Sequence, residues 1–115
     1  MRIYGSTAGS GTHPHRSPAA RSQRPGREVV QNRVEIGPEA PPIRHRHPGE
    51  EIIYVLEGSL EYHVDGESPV NVGAGEVFFV PAEAIHAVRN VGTGNAVELA
   101  TYVVEKGKPL VELVE

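Results

Sequence analysis

Residues 45–58 read HRHPGEEIIYVLEG, so two histidines and two acids stand directly before a run of strand-forming residues. His45 and His47 are two positions apart, and side chains at positions i and i+2 of a strand point to the same face. Both imidazoles can therefore reach one ion. Pro48-Gly49 turns the chain, and Glu51 opens the next strand, where its carboxylate can return to the same point. This stretch predicts a metal site between strands of an all-β domain.

The chain on both sides of this stretch carries short strand-like segments separated by Gly and Pro. The sequence has 13 Gly and 10 Pro, and no convincing helical period interrupts the strands. Asp65-Gly66, between two apolar runs, is a strong signal for a two-residue hairpin. Such spacing is typical of an antiparallel sandwich or barrel. The predicted strands are 29–36, 43–47, 51–57, 59–64, 70–72, 76–80, 86–90 and 96–104, with a short edge strand or swapped arm within 110–115.

The first 27 residues differ in composition from the rest. They contain five Arg, no acid and almost nothing apolar after Tyr4, so we expect a flexible leader at 1–27 and one folded domain at 28–115. The whole chain has a formal charge of −4, and removing the five leader arginines leaves six basic against fifteen acidic residues, a net charge of −9. The folded part should therefore attract neither nucleic acid nor anionic membrane.

The absence of certain residue types narrows the chemistry. The chain has no cysteine, so disulfides, thiolate metal sites and cysteine nucleophiles are excluded, and a metal must be held by His, carboxylate or water. No apolar stretch approaches the roughly 20 residues that span a bilayer, and the N-terminus lacks the apolar segment of a secretion signal. A soluble, cytoplasmic protein is the expectation.

A third histidine completes the candidate site. His86 follows the Pro81 turn, and it can close the ligand set of His45, His47 and Glu51 from another strand. Three imidazoles and one carboxylate leave up to about two positions open on a six-coordinate ion, as catalytic sites require. Fe, Mn, Ni, Cu and Zn all accept such ligands, and the sequence does not choose among them.

The histidine pair alone is weak evidence for a metal site. Any one of the six histidines is more often a surface residue or a satisfied buried one than a ligand. The leader contains another pair of the same spacing, His13 and His15, which we regard as accidental because no strand or third ligand supports it. The residues around His45 and His47 therefore have to show whether this pair belongs to a metal site.

Over most of residues 37–104 these surroundings resemble the cupin superfamily. Its first motif, G(X)5HXH(X)3–4E(X)6G, and its second, G(X)5PXG(X)2H(X)3N, are both matched in their ligands and spacing. Two positions depart from the motifs: Gly37 stands two residues before the opening glycine, where this chain has Glu39, and Glu83 replaces the middle glycine, which takes positive φ cheaply. These departures affect loop shape rather than ligands. The matching residues are His45, His47, Glu51, Gly58, Gly75, Pro81, His86 and Asn90.

The resemblance implies a double-stranded β-helix, the jelly-roll barrel of cupins, that is usually dimeric and holds its ion near one mouth. It also implies that Leu60, Tyr62 and Val64 face inward. Tyr62 then becomes the candidate catalytic residue, because its hydroxyl can donate to a metal-bound ligand, or act as an acid or base if the ion lowers its pKa. A core tyrosine with a satisfied hydroxyl is the alternative. Tyr54 and His63 are out of phase and should face outward.

Fold alone gives a weak indication of reaction, because cupins include dioxygenases, decarboxylases, isomerases, lyases and non-enzymes. The first hypothesis is a metal-dependent enzyme that acts on a small organic molecule, since the ligand set is intact and leaves open coordination positions. The second is a binding or sensing module in which the metal anchors a small ligand without turnover. A third is a purely structural barrel. A homodimer is expected, because 52–56 and 77–80 are apolar on both faces.

Overall fold

The computed structural model of the chain describes residues 2–8 and 25–115. Over these residues the chain forms ten strands and no helix. None of this part of the chain forms a helix that is long and apolar enough to cross a membrane. The strands are β1 (Arg2–Ala8), β2 (Arg27–Ile36), β3 (His45–Arg46), β4 (Gly49–Glu57), β5 (Ser59–Val64), β6 (Val70–Gly73), β7 (Val77–Val80), β8 (His86–Asn90), β9 (Ala96–Glu105) and β10 (Glu112–Leu113).

The strands form two five-stranded sheets. One has the order β1-β2-β9-β4-β7 and the other the order β10-β3-β8-β5-β6. Every neighbouring pair is antiparallel. Strands distant in sequence lie side by side, as in the pairing of β4 with β9, which is typical of a jelly roll. The predicted all-β, double-sheet fold is confirmed.

The core lies between the inner faces of the two sheets and follows the period-two pattern of the strands. On β5 the predicted inward set of Leu60, Tyr62 and Val64 is buried, which confirms that prediction. On β4, Ile53 and Val55 are completely buried. Each large aliphatic side chain buried in this way contributes about 1.5–3 kcal/mol. Polar residues in inward positions, such as Glu51, His86 and Glu98, are therefore buried inside the barrel.

Two glycines hold β4 close to its neighbour. A Cβ on Gly49 would lie 1.9 Å from the carbonyl oxygen of Val103, so the two backbones approach more closely than any side chain permits. Gly58 has a φ of 84°, and a Cβ there would lie 2.9 Å from the Cα of Ala96. Gly49 stands between His47 and Glu51, so this close approach positions the candidate ligands.

The N-terminal edge differs from the expected flexible leader. Arg2–Ala8 forms a strand that pairs along β2, from Arg2 opposite Glu35 to Ala8 opposite Val29. The expectation came from poor apolar composition, but strand addition uses the backbone groups of an open sheet edge and needs little side-chain burial. Residues 9–24, with His13 and His15, lie outside the described residues. The division of the chain into a leader and a barrel stays a prediction.

The outer face of one sheet is apolar over two adjacent strands. Ile52 on β4 lies opposite Phe79 on β7, and Tyr54 lies opposite Val77, so these side chains are cross-strand neighbours. All four are exposed, as is Leu56, and Val77 reaches 68% exposure. We call these five residues the outer apolar face. The prediction that Tyr54 faces outward is confirmed. That the outer apolar face is covered by a second subunit stays a prediction.

Candidate metal centre

Three of the predicted ligands meet at one end of the barrel. His45 on β3 lies directly opposite His86 on β8, and His47 follows β3 at the turn into β4. The ligand atoms of these three histidines lie within 4.8 Å of one another, so they can hold one metal ion. Their ring centroids are 4.3–5.0 Å apart. The structure therefore brings together the three imidazoles that the sequence analysis selected.

Each imidazole is oriented by the backbone. In all three rings Nδ1 lies at hydrogen-bond distance from a carbonyl oxygen, which accepts only, so Nδ1 carries the hydrogen. In the neutral ring Nε2 is then left with its lone pair, which is the form that binds a metal, and backbone partners of this kind fix ligand orientation. The three bonds run from His45 to Ile43 (2.7 Å), from His47 to Leu110 (2.8 Å) and from His86 to Ala84 (2.9 Å).

Glu51 adds a carboxylate beside the histidines. Its Oε1 lies 3.2 Å from Nε2 of His47 and 3.1 Å from Nε2 of His86. Burial raises the pKa of Glu51, but the contacts with both imidazoles outweigh it and lower the pKa to about 2. For His86 burial lowers the pKa, but the hydrogen bond to Glu51 outweighs it and leaves the pKa raised. Glu51 is thus an anion at neutral pH.

One buried nitrogen atom of His47 indicates whether a cation fits among the histidines. Nε2 of His47 lies 3.2 Å from Oε1 of Glu51 but does not form a hydrogen bond with it, and it is the one buried side-chain nitrogen or oxygen atom of the described residues without a hydrogen-bond partner. A buried polar atom left in this way costs about 1–3 kcal/mol. A cation held by the three imidazoles would satisfy it. Burial and the neighbouring imidazoles also lower the pKa of His45, which favours the neutral, metal-binding ring. The donor set of imidazoles and carboxylate suits divalent transition metals.

These ligands line one end of a cavity of about 180 Å³. We call His45, His47, Glu51 and His86 the histidine end. Aliphatic side chains form most of the remaining wall. No lysine or arginine in the described part of the chain lines it. The aliphatic lining residues are Val34, Ile36, Ala40, Pro41, Ile43, Val88, Val111 and Leu113.

The cavity also contains a second pair of polar side chains, Tyr62 and Glu98, which we call the Glu98 end. Tyr62 on β5 donates its hydroxyl hydrogen to Oε2 of Glu98 on β9, and both side chains are buried. Burial, together with the negative charge of Glu51, raises the pKa of Glu98 to about 7. Burial and Glu98 raise the pKa of Tyr62 well above its usual value. This direction is opposite to the lowered Tyr62 pKa that the sequence analysis expected beside an ion.

Sequence reasoning missed Glu98 and Tyr102. Glu98 is an acid at an inward position of β9, between Ala96 and Ala100, and this single polar residue in a small apolar series was the available signal. Tyr102 continues the same face, and its ring centroid lies 4.7 Å from that of His47. Both line the cavity.

The loop before β8 supports the histidine end. Glu83, which stands where the second cupin motif has glycine, adopts a φ of 64°. Its N–H donates to the carbonyl oxygen of His47 at 3.1 Å. The loop therefore keeps the conformation expected of the missing glycine, at a cost of about 1–2 kcal/mol for a residue with a Cβ. The first cupin motif also departs from the pattern, because Glu39 replaces its opening glycine. There the N–H of Ala40 donates to the carbonyl of Gly37 and closes a turn.

The remaining residues considered in the sequence lie outside the cavity. Arg46 projects away from the site and pairs with Glu112 on β10. His63 faces outward, as predicted, and contacts Glu61. Asn90, the last residue of the second motif, donates to the carbonyls of Ile36 and Gly94 and so holds the end of β8.

Comparison with known proteins agrees with the fold and the site. The family model described as the cupin domain matches residues 32–111, which is most of the chain. The chain therefore belongs to the cupin family, as its two motifs indicated.

Several enzymes resemble this chain over part of their length. Dimethylsulfoniopropionate lyase DddQ from Ruegeria pomeroyi is 40% identical over 45 residues, which cover 39% of this chain and 22% of the lyase. Its crystal structure matches with a TM-score of 0.64 and 25% identity, over 70% of this chain and 41% of that one. Oxalate oxidase in complex with glycolate matches with a TM-score of 0.63 and 30% identity, over 75% of this chain and 46% of that one.

A structure of Bacillus subtilis oxalate decarboxylase, described with Mn(II) centres, matches with a TM-score of 0.64 and 25% identity, over 75% of this chain and 24% of that one. This chain thus spans less than half the length of each of these three proteins.

Proposed function

We propose that this cupin is a metal-dependent enzyme that acts on a small organic molecule. One divalent transition metal ion is held by His45, His47, Glu51 and His86, and Tyr62 takes part in proton transfer. The observation that carries the proposal is the cluster of three imidazoles whose ligand atoms lie within 4.8 Å of one another beside a buried carboxylate, with one Nε2 atom that lacks a hydrogen bond. The similar lyase, decarboxylase and oxidase support an enzyme over a structural barrel.

An ion held by His45, His47, Glu51 and His86 would supply Lewis-acid polarisation of the substrate, or activation of oxygen if the metal is redox-active. The protein's own residues provide the setting. The three imidazoles are oriented by backbone carbonyls that contact their Nδ1 atoms, and Glu51 supplies the negative charge. The aliphatic wall limits water around the substrate and strengthens polar interactions inside. The Mn(II) centres of the similar decarboxylase make manganese one candidate beside Fe, Ni, Cu and Zn.

The charge of the cavity points to the class of substrate. No basic residue of the described chain lines it, whereas Glu51 and Glu98 both do. With a divalent ion and the Glu51 anion, one further negative charge is neutralised, but a second is left unpaired in an apolar cavity, which is costly. We infer that the substrate carries one metal-binding anionic or neutral oxygen group on an apolar or cationic body. Dimethylsulfoniopropionate, with one carboxylate, has this character, whereas oxalate has two carboxylates.

The test of the metal site is elemental analysis of protein purified without added metal. We expect about one equivalent of a transition metal in the wild type and its loss in His86→Ala. His63→Ala is the matched control, because His63 faces outward and should leave the metal content unchanged. Metal retained in His86→Ala at the wild-type level would contradict the proposed ligand set.

A substrate panel then separates enzyme from binding module. The metal-loaded protein is incubated with small monocarboxylates, dicarboxylates and neutral enols, and products are followed by NMR. We expect turnover of a singly charged compound and none of oxalate. Tight binding of a compound that is recovered unchanged after long incubation would favour the sensing alternative.

We also propose that two copies associate through the outer apolar face. Five exposed apolar side chains on adjacent strands form a contiguous patch of the kind that marks interaction sites. Phe79→Glu should convert a dimer to a monomer in sedimentation velocity. Val70→Glu, which places the same charge at an exposed position of the other sheet, should not. A monomeric wild type would contradict the dimer. The cytoplasmic location stays a prediction from the sequence.

A further inference from the structure

Glu98 is a buried acid in surroundings that do not explain it structurally. Its cross-strand partners are Val34 on β2 and Val55 on β4, and Ala96 and Ala100 flank it on the same face. Buried carboxyls are normally paired with a cation. The salt bridges found among the described residues do not include Glu98. An apolar residue would fill this position at lower cost, so the carboxyl points to a chemical role.

The hydrogen bond of Glu98 joins it to another residue that lines the cavity. Oε2 accepts from the Tyr62 hydroxyl, and both residues line the same cavity as the three histidines. A ligand held at the histidine end therefore occupies the same cavity as this pair. We propose that Glu98 is the proton-holding residue of the cavity, and that it exchanges a proton with the bound ligand through the hydroxyl of Tyr62. This inference depends on the proposed function only in that a metal-bound ligand occupies the cavity.

The groups that face Glu98 set its protonation. Burial and the Glu51 anion on β4 favour the neutral acid, while the hydroxyl of Tyr62 on β5 and the imidazole of His86 on β8 oppose this less strongly. The side facing β2 presents Val34 and adds no charge. The resulting pKa of about 7 means that both the acid and the carboxylate are populated at neutral pH. A group poised in this way can both give and accept a proton.

The proton step balances without a charged tyrosine. In the neutral state the Glu98 O–H donates to the Tyr62 oxygen, and the Tyr62 O–H donates to an acceptor atom of the ligand. The Tyr62 O–H bond breaks as the ligand gains that proton, and the Glu98 O–H bond breaks as Tyr62 gains the next one. One proton leaves Glu98 and one reaches the ligand, with no change in oxidation state. Tyr62 stays neutral throughout, which matters because burial opposes its ionisation.

The other acids and phenols of the cavity are less suited to this role. Glu51, with a pKa of about 2, carries no proton to give at neutral pH. The pKa of Tyr102 is raised by burial and by the charges of Glu51 and Glu98, so Tyr102 does not readily lose its proton. Glu98 therefore combines the right protonation with a connected path.

The first experiment observes Glu98 directly in metal-free protein with ¹³C-labelled glutamate carboxyls. We expect one carboxyl signal to titrate near pH 7 in the wild type, to be lost in Glu98→Gln and to remain in Glu57→Gln, an exposed control. In Tyr62→Phe the same signal should titrate at higher pH, because the Tyr62 hydrogen bond lowers the Glu98 pKa. A wild type without such a signal would overturn the inference.

The second experiment tests the exchange with a ligand, using acetate as the probe. Calorimetry in two buffers of different ionisation enthalpy measures the protons taken up when acetate binds to Zn²⁺-loaded protein at pH 7.5. A bound anion favours the protonated acid, so we expect uptake of up to about one proton in the wild type. The uptake should be lost in Glu98→Gln and reduced in Tyr62→Phe, but kept in Glu57→Gln.

The outcomes separate this inference from the proposed function. Uptake that persists in Glu98→Gln, or acetate that binds to the wild type without uptake or not at all, would overturn the proton-holding role. A Glu98 signal that titrates in Tyr62→Phe as it does in the wild type would overturn the path through Tyr62, because the hydrogen bond on which that path depends would then be absent in solution. Zinc content is measured on the same samples. Protein that binds no zinc would contradict the proposed function, and the carboxyl titration of Glu98 could still be read.

Discussion

Glu51 and Glu98 are the same residue type in one cavity, on the paired strands β4 and β9, yet they are in opposite states. Their exposed fractions are almost equal, at 3% and 4%. Glu51 contacts two imidazoles and has a pKa of about 2, whereas Glu98 contacts a hydroxyl and has a pKa of about 7. Both carboxyls are buried, so the difference between their pKa values comes from the neighbouring residues. When the surroundings of two acids move their pKa values apart, one suits charge stabilisation and the other proton transfer.

The largest effect expected from this comparison is on metal affinity. Glu51→Gln removes the negative charge of the histidine end while keeping its shape. We expect the affinity for Zn²⁺ or Mn²⁺ to fall at least about 100-fold. Even the loss of a residue that only hydrogen-bonds to a metal ligand lowers metal affinity about 10–100-fold. Competition with a chelator dye measures it. Glu98→Gln should change the affinity by far less.

Glu50→Gln is the matched control for this measurement, since Glu50 neighbours Glu51 on β4 but points to the other face. If Glu51→Gln and Glu50→Gln bind metal equally well, Glu51 is not a ligand. An affinity loss of equal size in Glu98→Gln would remove the proposed distinction between the two ends of the cavity.

The next effect is on the pH dependence of stability in metal-free protein. Between pH 2 and 4.5 the unfolded chain binds more protons at position 51 than the folded chain, so Glu51 makes stability rise with pH. Between pH 4.5 and 7 the folded chain binds more protons at position 98, so Glu98 makes stability fall with pH. Each contribution is on the order of 3 kcal/mol across its window.

Urea unfolding from pH 2 to 8 separates the two contributions. Glu51→Gln should lose the rise at acidic pH, and Glu98→Gln should lose most of the fall toward neutral pH. A smaller fall should remain in Glu98→Gln above about pH 6.5, since the raised pKa of His86 adds stability that is lost as pH passes it. Parallel curves for Glu98→Gln and wild type would mean that Glu98 is not protonated in the folded state.

The two ends of the cavity also differ in how far the sequence predicts them. The ligands of the histidine end lie at the spacings of the two cupin motifs, so the sequence suffices to select His45, His47 and His86 once both motifs are matched. Glu98 belongs to no spaced motif, and its role depends on β9 lying against β4 and facing β5. Those contacts join residues far apart in sequence. The period-two alternation of a strand predicts which side chains face the core. It does not predict which residue of the opposite sheet each of them contacts.

Turn signals and side-chain alternation likewise decide which strands can be predicted. Strands 59–64 and 86–90 have the predicted bounds, because turns and alternation mark both ends. β1 was missed because its pairing with β2 involves the backbone, which the side-chain pattern does not report. β3 is shorter than the predicted 43–47, since it pairs with β8 only at His45 and with β10 at two positions.

The smallest expected effect concerns the loop that supports only the histidine end. Glu83→Gly should stabilise the protein by about 0.5–1 kcal/mol, because glycine adopts the φ of 64° without the Cβ clash, less the extra freedom it gives the unfolded chain. Glu67→Gly, in a turn without positive φ, should destabilise instead. Urea unfolding gives both values. Because Glu83 holds His47 through its N–H, which glycine retains, metal affinity should be unchanged, and so should the titration of Glu98. A destabilised Glu83→Gly would mean that the acid side chain contributes more than its backbone conformation costs.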